Sequence, residues 1–211
     1  MADWVTISSL ATAGGTLVLA VATFSSVRSA NRSARVAELS LLAAQRPVLI
    51  PSREDDLPER VMFGEGHRVT VEGHGGVVEV ADGSIYLAAG LRNAGSGIAV
   101  LHGWRVAPQI EGTRHQRPEL EEFRRQQRDL YIPSGSAGFW QGAIRDPADP
   151  SYEALISVER EGTRLILDLL YGDHEGGQRA IARFGVTASE DGGGRTANVI
   201  RYWNIDRPDP R

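Results

Sequence analysis

No cysteine occurs in the 211 residues and no lysine either, so that all 23 basic side chains are arginine. Without a thiol there is no disulfide scaffold, no thiolate metal site and no cysteine nucleophile, although a missing residue type does not identify a compartment. An excess of positive charge is lacking as well. The formal net charge is −4 and the sequence pI 5.8, without the basic balance expected of a nucleic-acid binder. No nucleic-acid partner is expected. At this length the chain should form one domain, or a domain with an appendage, rather than two full domains.

The most informative absence is local. From Trp4 to Val27 no side chain carries a charge, and a bilayer is spanned by about 20 residues of helix. The stretch is not uniformly apolar: Thr6, Ser8, Ser9, Thr12, Gly14, Gly15, Thr16 and Thr23 dilute it, and Leu17–Ala22 is its one continuous apolar run. Hydroxyls are tolerated there because a helical Ser or Thr bonds back to its own backbone. Trp4 stands where an interfacial aromatic belongs. Two other readings compete. A cleaved signal peptide could end at Ala20-Val21-Ala22, but it wants positive charge before the apolar run, whereas only Asp3 precedes it and Arg28, Arg32 and Arg35 follow. A core helix of a soluble domain would show a polar face within so many residues. A membrane anchor over residues 1–27 is therefore expected. Because positive flanks stay inside, the N-terminus should lie outside the cell membrane and the large domain in the cytoplasm.

Between Thr16 and Arg46 there is neither Gly nor Pro, so the helix should run on as a stalk over residues 28–46 until Pro47 stops it. Val27, Ala30, Ala34, Ala37, Leu41 and Ala44 alternate steps of three and four, the spacing of a coiled-coil seam. Ala11 and Gly15 form a small-xxx-small pair. Both point to a homo-oligomer through the anchor helix. The alternative is a monomeric helix whose Leu39 and Leu42 pack on the soluble domain.

From Pro47 to Arg211 the pattern changes to short alternating segments bounded by turn residues, and a mainly β domain, a sandwich with short helical inserts, is expected. The pattern predicts strands over 68–72, 77–81, 85–92, 98–106, 137–143, 165–171, 179–187 and 197–203. In the third, Ile85, Leu87, Ala89 and Leu91 share one face, expected to be buried; Tyr86, Ala88 and Arg92 share the other, expected to be half-solvated. Helical inserts are expected at Pro118–Arg128, where acidic residues come early and arginines late as the helix dipole prefers, and at Pro150–Glu161. Asn93, Gly95 and Gly97 are expected to take positive φ in a tight turn or bulge.

The segment LRNAGSGIA at Leu91–Ala99 resembles a strand interruption of immunoglobulin-like sandwich domains in bacterial surface and membrane-anchored proteins. With the apolar helix, SVRSANRSARVAE, RPVLIPS, LRNAGSGIAVLHGW and LLYGDHEGGQR, nearly the whole chain resembles an uncharacterised bacterial family of membrane-anchored sandwich proteins. That resemblance implies an architecture and no activity.

Catalytic motifs are missing. Asp173-His174-Glu175 is the densest polar cluster, and a hydrolase-like enzyme using that loop is the alternative function. Three adjacent residues are poor ligand spacing, and the flanking glycines suit a hairpin turn. His67, His74, His102 and His115 are scattered, Ser134-Gly135-Ser136 is no nucleophile elbow, and Gly73–Gly76 and Gly192–Gly194 lack a phosphate-loop context. No catalytic residue, metal ligand or cofactor is assigned. Trp104, Phe139, Trp140 and Trp203 fall on or beside predicted strands; Phe139 and Trp140 are adjacent, so one should face out, and an exposed Trp near arginines would suit a protein interface. Trp104, Phe139, Trp140, Asp173, His174 and Glu175 are thus the candidate binding residues of a membrane-held, non-enzymatic interaction module with a protein partner.

Overall fold

A computed structural model describes residues 3–108, 116–189 and 194–209. The chain divides after Ala44 into two compact units. The first is one unbroken helix, α1 (Trp4–Ala44), about 60 Å long at 1.5 Å per residue. It is long and apolar enough to cross a membrane, and no part of its apolar stretch is buried. As expected, hydroxyls return to the backbone: Thr12 Oγ1 donates to the Ser8 carbonyl and Thr16 Oγ1 to that of Thr12, each at 2.9 Å.

The second unit is mainly antiparallel β-structure. In chain order its strands are β1 (Leu49–Pro51), β2 (Glu59–Met62), β3 (Arg68–Val71), β4 (Gly75–Ala81), β5 (Ser84–Asn93) and β6 (Ala99–Pro108). There follow β7 (Arg124–Arg125), β8 (Tyr131–Ile132), β9 (Ala137–Ile144), helix α2 (Tyr152–Glu161), β10 (Leu165–Gly172), β11 (Ala180–Ala188) and β12 (Arg195–Asn204). One hydrogen-bonded path runs β1-β5-β4-β12-β11-β10-β6-β7, with β9 on the far side of β5 and β8 on β6. Arg195↔Gly76 and Thr196↔Gly75 pair β12 with β4, and the Ala197 amide donates to the His74 carbonyl just before β4. Side chains of β5 share one buried cluster with those of β10 and β11 although β4 and β12 stand between them in this path, so β9-β5-β4 with β1 forms one layer and β12-β11-β10-β6 with β7 and β8 the other.

Strand periodicity supplies the core between them. Ile85, Leu87, Ala89 and Leu91 of β5 pack with Leu165, Leu167, Leu169 and Tyr171 of β10 and with Ala182, Phe184 and Val186 of β11 in one buried cluster. α2 adds Leu155 and Val158 and ends at Gly162, whose φ of 66° forms the left-handed cap.

Four expectations need correction. The outer face of β5 is not half-solvated: Tyr86 and Ala88 are buried beneath the β2–β3 hairpin, packed on Val61, Phe63, Val69 and Val71. The segment 118–128 is no helix. It makes a 3-10 turn at Leu120–Glu122 and then β7, which pairs with Gly103 and Trp104, because its charges suit a helix dipole while Leu120 and Phe123 are too few to form an apolar stripe. Gly95 and Gly97 are not among the residues with positive φ. Their role is close approach: an added Cβ at Gly95 would lie 2.3 Å from the Arg46 carbonyl oxygen, and one at Gly97 1.7 Å from that of Gln45. Finally, β1, β2 and β8, none longer than four residues, escaped the sequence pattern. Gly192 and its neighbours Glu190 to Gly193 lie outside the described residues.

Candidate binding groove

The expected sites come first. Asp173 is buried, and its Oδ1 accepts the amides of Glu175 at 3.1 Å and Gly177 at 2.8 Å, while His174 and Glu175 are exposed. A carboxylate so engaged shapes its turn. Among the described residues no three His, Asp or Glu side chains converge as a metal site. His102 packs near Arg179; burial, and then that guanidinium, pushes its imidazole below the usual range, so it is neutral near pH 7. His115 lies outside the described residues.

The aromatic candidates also need correction, because none of the three domain tryptophans is exposed. Trp104, Trp140 and Trp203 are all buried, and Phe139 is half-buried between the two core clusters. Trp104 and Trp140 meet edge to face with ring centroids 5.4 Å apart. Gly142 makes room for them: a Cβ there would lie 2.7 Å from the Trp140 ring and 3.0 Å from that of Trp104.

Above Trp104 opens a groove of about 760 Å³. Three elements wall it: the β2–β3 hairpin tip, the β9 end from Gln141 to Arg145, and β7 with the loop that follows it to Arg128. Among the described residues its lining holds four arginines, Arg124, Arg125, Arg128 and Arg145, and no carboxylate. Two of them are committed at the walls. Arg124 sits 5.3 Å from the Trp104 ring centre and forks onto Asp149, with Nη1 and Nη2 at 2.5 and 2.7 Å from the two oxygens. Arg145 forks onto Glu65 at the hairpin tip, at 3.1 and 2.8 Å. These bonds hold the carboxyls low: Arg145 brings Glu65 down to about 2, and Arg124 lowers Asp149. Arg125 and Arg128 are exposed and have no ion-pair partner among the described residues. Sequence reasoning missed Arg124, Arg125 and Arg128 because the segment 118–128 read as a helical insert, and Arg145 because it follows a strand with no motif around it; the adjacent Arg124-Arg125 next to Gln126-Gln127-Arg128 was the available signal.

A second charge cluster lies on the outer face of the other layer. Asp168 of β10 is fully buried, with Arg183 of β11 forked onto it at 2.6 and 2.9 Å and Arg105 of β6 at 3.0 Å. Arg183 also stacks 4.9 Å from the Trp203 ring centre and donates to the Gln116 carbonyl. Through the Gln116 carbonyl this network ties the chain after β6 to the sheet.

Comparison with known proteins adds no identity: no family model matches the chain, and neither a curated protein nor a solved structure matches it.

Proposed function

We propose that the protein is a single-pass membrane protein whose β domain, an immunoglobulin-like sandwich, lies in the cytoplasm and acts as a non-enzymatic binding module with the arginine-lined groove as its working surface. The groove carries the reading. Among the described residues four arginines and no carboxylate line it in a chain of net charge −4, and concave sites with a few convergent polar groups are where ligands bind. Arg28, Arg32 and Arg35, directly after the apolar stretch, support the cytoplasmic side. Anchoring would raise the concentration of the domain near partners at the same membrane. The Asp173-His174-Glu175 loop supports an enzyme less well, since Asp173 is spent on turn amides.

Two measurements test this in intact cells. A reporter fused to the C-terminus should score cytoplasmic; activity only outside the cell would overturn the orientation. A photo-crosslinking residue at Gln127, on the groove, should give discrete adducts that the same residue at Glu153, on α2, does not. Equal adducts from both positions, or none from Gln127, would remove the groove as the working surface.

A further inference from the structure

The groove's lining comes from both faces of one strand. Trp104 lies on the core side of β9, and Phe63 on the outer side beneath the hairpin. A hollow that touches both faces must follow the strand's edge. β9 bonds β5 along one side from Ala137 to Ile144, and no strand among the described residues pairs with its other side. On that side the Gln141 carbonyl accepts Nε2 of Gln126 at 3.1 Å. A side-chain amide thus stands where a neighbouring strand's amide would be. This contact orients the Gln126 amide and turns Oε1 away; that oxygen and Oε1 of Gln141 are both buried without a hydrogen-bond partner among the described residues. An uncovered strand edge calls for a further strand, while Arg125 and Arg128 at the rim call for negative charge.

We propose that this open edge takes an extended acidic peptide segment of a partner protein, laid along β9 at Gln141–Arg145 as an added strand. Backbone groups of the segment pair with the side of β9 that no strand covers, and its carboxylates pair with Arg125 and Arg128, in the manner of strand addition to a sheet edge. A simple anion would answer the arginines but leave the strand edge uncovered, and that decides for a peptide. The inference rests on the groove being the binding surface, and its test stands apart from the crosslinking one.

The probe is a fluorescein-labelled hexaglutamate with blocked ends, titrated by fluorescence anisotropy against the full-length protein in detergent micelles. It should bind, and more weakly as salt is raised. Arg125→Gln with Arg128→Gln should weaken it about tenfold, whereas Arg160→Gln on α2 should leave it unchanged. Both arginines are exposed, so the pair of changes should not disturb the fold; circular dichroism checks this. The fully N-methylated peptide, with equal charge and no N–H groups, should also lose about tenfold. Equal binding of the methylated peptide would overturn the added strand. Competition by inorganic phosphate at concentrations matched to the peptide's charge would make the site one for small anions. No binding of hexaglutamate would overturn the acidic segment while the Gln127 crosslinks still decide whether the groove binds anything.

Discussion

Asn93 is fully buried and uses its whole amide. Oδ1 accepts the amides of Val48 at 3.1 Å and Gly95 at 2.9 Å, and Nδ2 donates to the carbonyls of Gly97 at 2.6 Å and Ile132 at 2.9 Å. One side chain therefore ties the chain before β1, the turn after β5 and β8. Gly95 and Gly97 let that turn lie against Gln45 and Arg46 with no room for a Cβ. Asn93→Ala leaves four backbone groups without their partner and should cost about 3 kcal/mol. Gly97→Ala should cost more than about 2 kcal/mol by forced displacement of the backbone. Gly64→Ala, where an added Cβ meets nothing within 4 Å, should stay within about 0.5 kcal/mol. Thermal or urea melts of the three variants check this, and equal small shifts would contradict the tight approach. Asn-x-Gly marked the place in the sequence. Its reason was out of reach, because the residues it packs against lie some 40 positions away and no local pattern encodes them.

At the scale of elements, the apolar pattern exposed the long strands and failed on the short ones. Strands β5, β10 and β11 are buried at nearly every position, and their long apolar runs made their extents legible to within a residue or two. The hairpin's cover over Tyr86 was not, since an outward face bearing Tyr and Ala reads equally as solvated surface or as a second buried layer. Three of the four groove arginines come from β7 and the loop after it, and the fold brings Arg145 from the end of β9 to join them. The hairpin tip is tied to β9 by Glu65 and Arg145, and that tie depends on pH. Glu65 has its pKa lowered to about 2 by Arg145, so the folded state favours the charged form. Its contribution is present above the ordinary value of 4.5 and is lost as the pH falls toward about 2. The melting difference between the wild type and Glu65→Gln should accordingly be largest near neutrality and shrink below about pH 4.5. Because Glu65 is more than a third exposed, the difference should be small and reduced by added salt. A gap that grows on acidification would contradict the assignment.

For the whole molecule, the unit from Gln45 to Arg211 contains its own core and every contact described for it. Expressed alone, it should fold as a β-rich monomer, read by circular dichroism and light scattering. The same unit ended after Gly194 lacks β12 and with it Ala197 and Trp203, and should give no cooperative melt. Cooperative unfolding of the shortened form would show that β12 only decorates the sheet. The joint between β4 and β12 also bears on how the protein is made. β12 is the last strand in the chain order and the one that closes the two layers, while β6 must wait for β10, about 60 residues later. Pairings so distant in sequence fold slowly. The ribosome releases α1 long before it has made the residues that complete the core, so the helix can reach a bilayer while the domain behind it is still an open sheet with unpaired edges. Over that interval its uncovered strand edges and apolar faces leave the nascent chain exposed to aggregation.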